Sequence, residues 1–194
     1  MTTSVLLGEI ASVRLGQNVK ESESAPDKGI RFIRIKETEA GYFNDTSVLP
    51  FAAIEMDKVK AFIEAGDIVL PVRGLRMDAM LIQTANEPLM TTNHMAVIKV
   101  RDDNVIPEFC LWYLNSPGGQ QALENQRKGA TSVPQISSKD LMNVPIPLPT
   151  LLIQKQIVEM NSNWLQQKSI YQKLILNGSE LTQAACQHLI KGGC

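Results

Sequence analysis

Residues 127–132 put two cations, Arg127 and Lys128, beside Gly129, Ala130 and the hydroxyls of Thr131 and Ser132. Small residues leave backbone amides open, so this loop suits phosphate oxygens, with Arg127, Lys128, Gly129 and Thr131 as the contacting residues. An ordinary connecting loop fits the same residues equally well. A second pair, Arg73 and Arg76, flanks Gly74 and Leu75 just after an apolar run, where a loop could aim two guanidiniums at base edges. The competing reading is that both are surface arginines paired with Asp67 or Asp78, and spacing alone favours it. Asn93 has the amide that reads an adenine edge, although asparagine ahead of a strand commonly forms a turn. Arg31, Arg34 and Lys36 line a basic strand edge and are weaker candidates, because edge strands carry charge simply to block pairing.

The residues that would do covalent chemistry are not arranged for it. Gly16, Gly66 and Gly74 stand alone, and Gly118 with Gly119 reads as a helix end, so no nucleotide-binding glycine loop of standard spacing occurs. His94 and His188 are far apart and belong to no carboxylate cluster, which gives metal catalysis little support. Cys110 lies in the apolar run 109–114 and reads as a core residue, so a Cys110–His94 nucleophile is disfavoured. The sequence 115–118, Asn-Ser-Pro-Gly, only superficially echoes the element with which adenine methyltransferases grip a flipped base.

Nineteen Lys and Arg against 20 Asp and Glu leave a net charge of −1, unlike a free-standing DNA binder, which is usually basic. Either the protein does not bind DNA, or it binds locally with a partner's help. No apolar run approaches the length that crosses a membrane, and the first residues lack a basic start followed by an apolar block, so the expected location is the cytoplasm.

Positioning these loops requires a mixed framework. The periodicity predicts a short helical turn at 7–11, strands near 13–15, 30–35, 65–74, 80–84 and 94–100, and a buried helix opened by Pro107. Residues 116–118 break that helix, and 119–127 form a second. Residues 17–29 and 41–50 read as exposed or turn-rich connections. Strands and helices interleave without long regular alternation, so the class is α+β: a compact domain of short strands and helices, residues 1–149.

At 143–157 the pattern changes. Pro145, Pro147 and Pro149 hold an extended segment, and from Thr150 a helix begins. Ile153, Ile157, Met160, Trp164, Tyr171 and Leu174 form a heptad seam with Gln167 filling one place, which predicts a coiled-coil-forming dimerisation arm over 150–194. A helix packed back on its own domain is the plainer alternative, but the stripe widens through Ile170 and Ile175 beyond what a small domain can cover. Asn177 and Gly178 are expected to end or kink the arm near 177–178. A run from 151 to 177 would be roughly 40 Å long, close to the roughly 34–36 Å of one DNA turn. Glutamines, Gln154 among them, line the helix and would choose a partner by amide hydrogen bonds.

Taken in order, residues 7–16, 32–41, 65–74, 106–124, 128–137 and 141–158 resemble the specificity subunits of type I restriction and modification enzymes. The start of the arm departs from the family, with Thr150, Leu151, Leu152, Ile153 and Gln154 where members carry Pro-Pro-Leu and then Glu-Gln. The resemblance implies a noncatalytic subunit that recognises one half of a split target in double-stranded DNA. It implies a partner adenine methyltransferase, which would hold S-adenosylmethionine, and in some complexes a restriction or translocase subunit. This chain needs no cofactor of its own on that reading. Members usually carry two recognition domains and two helices, whereas one of each is found here, so two copies would pair their helices antiparallel as a homodimer. The alternative is a protein-interaction or assembly adaptor of the same architecture without DNA recognition.

Overall fold

The computed structural model describes residues 3–22, 29–38, 40–43, 45–127 and 134–192. The chain divides into two units, Met1–Lys155 and Gln156–Cys194. The first unit is mixed α and β, and its centre is a five-stranded sheet in the order β2-β8-β5-β6-β4. These strands are β2 (Ala11–Leu15), β4 (Gly41–Phe43), β5 (Ile68–Pro71), β6 (Met80–Ile82) and β8 (Met95–Val100). All neighbours are antiparallel except β4 and β6. Two further pairs flank it: β3 (Arg31–Ile33) runs parallel to β7 (Leu89–Thr91), and β1 (Thr3–Leu6) runs antiparallel to β9 (Pro145–Leu148).

The strand period at 30–35 predicts one buried and one open face, but β3 is buried on both. Phe32 joins Ile30, Ala52 and Met90 in one apolar cluster, while Ile33 joins Leu49, Val69, Met80, Leu89 and Val97 in another. Arg31, which spacing would place in solvent, is half-buried and tied down. Its Nε donates to Glu87 at 2.8 Å, its Nη1 to the Leu49 carbonyl at 2.6 Å, and its guanidinium lies 3.8 Å from the Phe51 ring centre.

The helices α1 (Leu7–Ile10), α2 (Pro107–Asn115), α3 (Pro117–Asn125) and α4 (Ser138–Met142) complete the unit. Pro107 opens α2, which buries Phe109, Cys110, Leu111 and Leu114. Burial pushes the Cys110 thiol up to about 12, so it stays protonated and inert at neutral pH, as a core residue should. One boundary departs from expectation: Gly118 and Gly119 lie in the first turn of α3 and not at a helix end. Ser116 is the reason, since its hydroxyl accepts from the Gly119 amide at 3.1 Å while donating to the Tyr113 carbonyl at 2.7 Å. A single serine thus closes α2 and caps α3.

The long helix α5 covers Leu151–Ile190, 40 residues. It passes through Asn177 and Gly178, where the sequence predicts a break. A glycine inside a helix costs only about 1 kcal/mol, which the flanking helix formers outweigh. The Ser179 and Thr182 hydroxyls also donate back to the carbonyls of Ile175 and Gly178, so these residues bond within the helix. At about 1.5 Å per residue the helix is roughly 60 Å long, and the expected match to one DNA turn does not hold for it. No helix among the described residues is long and apolar enough to cross a membrane.

Candidate nucleic-acid interface

Three segments meet at one end of the central sheet. After β5, the Val72 amide donates to the His94 carbonyl at 2.9 Å, which ties this strand end to the turn at Thr92–Met95 between β7 and β8. On the other side the Ile136 amide donates to the Val72 carbonyl, and Arg73 bridges to Gln135. The loop of residues 72–79 and the turn carrying Asn93 are therefore neighbours, although 20 residues separate them in the chain. Gly74 takes a φ of +102°, with open space where a Cβ would stand. It is needed for its conformation, a sharp turn that a side chain would strain.

The loop is braced from behind by the α2–α3 corner. The Asn115 amide both donates to the Ala79 carbonyl at 2.9 Å and accepts from the Ala79 amide at 2.8 Å. Gln120 Nε2 donates to the carbonyls of Met77 and Leu114. Arg127, just past α3, donates from Nη2 to the Gly74 carbonyl and from Nη1 to Glu124. Its side chain is only 10% exposed, and its buried Nε has no acceptor among the described residues. Arg127, expected to face phosphate, is thus spent on holding Gly74 in place. The echo of a base-gripping element at Asn115 has a structural role instead, because its amide both donates to and accepts from Ala79.

What the braced loop presents is a cationic tip. Arg73 is exposed and has no salt bridge among the described residues. Arg76 is also exposed and pairs with Asp78 at 2.5 Å, which is the pairing that spacing favours; Asp67 pairs elsewhere. Asn93 is exposed in its turn. Lys128, Gly129 and Thr131 lie outside the described residues.

The basic edge at 31–36 is occupied by internal partners. Arg34 binds Glu37 through Nε and Nη2 and Glu21 through Nη1, and the Glu37 hydrogen bond chiefly raises its already high pKa. Arg31 is a staple of β3, as described above. Lys36 alone stays open, 68% exposed, with its amine 3.8 Å from Glu37. Carboxylates take up these cations: Glu37 lies within local reach of Arg34 and Lys36, whereas Glu21 and Glu87 are brought to Arg34 and Arg31 by the fold.

Two buried polar residues were not singled out for the places they hold. Asp67 is 2% exposed and accepts from the Glu64 amide at 3.0 Å, with the Arg14 guanidinium 3.8 Å away. Burial raises its pKa above the ordinary aspartate value. Gln154, expected to face a partner, is fully buried in the first turn of α5. It accepts from the Ile106 amide and donates to the carbonyls of Asn104 and Pro149, each at 2.9 Å.

Within α5 the expected heptad residues are mostly solvent-facing in the single chain. Trp164 is 57% and Tyr171 55% exposed, Ile153, Met160 and Leu174 are exposed, and Ile157 is half-buried. Ile170, Ile175 and Leu181 widen the apolar surface.

Comparison with known proteins gives a consistent result. The family described as "Type I restriction modification DNA specificity domain" matches residues 3–176. The MjaVIII specificity subunit of a type I restriction enzyme from Methanocaldococcus jannaschii is 25% identical over 161 residues, 80% of this chain and 37% of that protein. Among solved structures, the HsdS subunit from Thermoanaerobacter tengcongensis has a TM-score of 0.60 at 22% identity, covering 87% of this chain and 38% of the other. A type I R-M system solved for its complex assembly and conformational transition contains a chain with a TM-score of 0.59 at 23% identity, covering 87% and 39%. The chain therefore spans well under half the length of these relatives.

Proposed function

Because this chain belongs to the family of type I restriction modification DNA specificity domains, we propose that it is a noncatalytic reader of one half of a two-part DNA target. On this reading it directs a partner adenine methyltransferase to that target, and in some assemblies a restriction subunit. The observation that carries it is the family match along residues 3–176, with the solved HsdS subunit and the type I R-M chain sharing the fold of most of the chain. The DNA-facing surface is the braced loop at 72–79 with the Asn93 turn. Arg73 and Arg76 contact bases or backbone there, Asn93 reads an edge beside them, and Lys128 and Thr131 supply phosphate contacts. S-adenosylmethionine belongs to the methyltransferase.

The net charge of −1 fits a reader whose phosphate clamp is shared with its partner. The complex with the methyltransferase is expected to retain its DNA at salt concentrations that release the chain alone. Replacing Arg73 by alanine should lower the preference of that complex for its own target about tenfold, measured by competition against unrelated duplex. A complex with no sequence preference in the unmodified protein contradicts the proposal. It favours instead an assembly adaptor, the reading to which the internal pairing of Arg31, Arg34 and Arg127 lends support.

The arm pairs with the arm of a second copy, antiparallel, through the stripe containing Ile153, Ile157, Met160, Trp164, Tyr171 and Leu174. Aromatic residues at the centre of such seams dominate association, at about 2 kcal/mol or more each. The double substitution Trp164→Glu and Tyr171→Glu is therefore expected to turn a dimer into a monomer by light scattering without lowering the thermal stability of the first unit. An unmodified chain that is monomeric at tens of micromolar would exclude this pairing.

A further inference from the structure

Leu75 is 86% exposed, the highest value among the large apolar residues described. It is placed on the braced loop at 72–79, one residue after the Gly74 turn and between Arg73 and Arg76. A leucine in a mobile connection would be unremarked. Here the backbone behind it is fixed by the Gly74 amide bonding to the Pro134 carbonyl, by Arg127 on the Gly74 carbonyl, and by Asn115 and Gln120 on Ala79 and Met77. Rigid support under an exposed apolar side chain lowers the ordering cost of inserting it into a partner. The flanking charge selects that partner: one arginine stands on either side, Arg76 pairs with Asp78, and Arg73 has no salt bridge among the described residues.

We propose that Leu75 is a wedge that enters duplex DNA between two base pairs, with Arg73 and Arg76 holding the phosphates or base edges on either side. This rests on the reading of the chain as a DNA target reader and names the residue that makes part of the target selection. Leucine side chains serve this role where an apolar group opens a base step, and flexible pyrimidine–purine steps open most readily. Leu75 thus favours such a step at one position of the half-target, by the ease of unstacking and not by hydrogen bonding.

The test uses the full chain in complex with the adenine methyltransferase that co-purifies with it, on duplexes carrying the target found from host methylation. 2-Aminopurine is placed in turn at positions other than the methylated adenine. The unmodified complex should give a fluorescence rise at one step. Leu75→Ala should abolish the rise and weaken target binding about tenfold, and Leu75→Met should retain both. Unrelated duplex should bind the Ala variant within twofold of the unmodified complex. Because the side chain is exposed, Leu75→Ala should leave the urea midpoint unchanged, which separates insertion from a folding defect. A Leu75→Ala complex with the same rise and selectivity overturns the wedge and leaves the reading of the chain intact. Loss of methyltransferase association in that variant also overturns it, making Leu75 a protein contact. An unmodified complex without any preferred duplex overturns the DNA reading itself.

Discussion

Gly119→Ala should destabilise the protein by roughly 3 kcal/mol, whereas Gly118→Ala, one residue away, should be neutral or stabilising by roughly 0.5 kcal/mol. A Cβ at Gly119 would stand 1.9 Å from the Tyr113 carbonyl oxygen and 2.9 Å from the Leu114 Cα. Both are backbone atoms of α2 and cannot rotate away. At Gly118 the nearest atoms are 3.9 Å off, an ordinary contact, and alanine favours the helix there. The consequence reaches the candidate interface, because the same α2–α3 corner carries Asn115 and Gln120, which hold Ala79 and Met77. Urea denaturation of the three proteins measures the difference. Equal midpoints for Gly118→Ala and Gly119→Ala would show that the corner is looser than its geometry.

Gln154→Ala is expected to cost roughly 2 kcal/mol, because it empties the place of a fully buried side chain and takes the partner from one half-buried donor and two acceptors at its edge. The Ile106 amide and the carbonyls of Asn104 and Pro149 have the Gln154 amide as their side-chain partner. Gln154→Glu refines the test by pH. The acceptor for Ile106 remains, but an ionised carboxylate cannot donate to either carbonyl and is buried, so its folded pKa should rise above the usual glutamate value. The sign follows: the variant is most stable below the unfolded pKa of about 4.3 and loses stability as pH climbs through the higher folded value. A Glu variant equal to the parent at neutral pH, or an Ala variant with an unchanged midpoint, would contradict the anchoring role.

These two residues show what the sequence could and could not reveal. The strand at 65–74, the Pro107 helix and the proline strand leading into α5 are set by local signals: apolar runs and prolines. They are legible for that reason. By contrast, β4 and β7 are three residues each, too short for a period, and Leu89–Thr91 reads as a strand only once β3 lies beside it. Gln154 carries no local mark of burial, since its three partners lie 5, 48 and 50 residues away.

The site follows the same division. Gly74 between two arginines was readable as a loop aimed outward, and Arg76 pairs with Asp78 two residues away, within local reach. That Arg127 turns inward to Gly74 depends on a contact across 53 residues, and that Glu21 closes on Arg34 depends on the path of a loop. Leu75 was visible as a letter in the sequence but not as the most exposed large apolar side chain among the described residues, because exposure depends on everything that does not pack against it. Family resemblance supplied the functional reading, while the geometry ranks which cations remain open to a ligand.

The most direct measurement of the central proposal is a map of methylated adenines in the host genome with and without this protein. One two-part sequence should lose its methylation when the protein is absent and regain it on complementation, while the Arg73→Ala variant restores it incompletely. A methylation map that is unchanged by removal of the protein would contradict it.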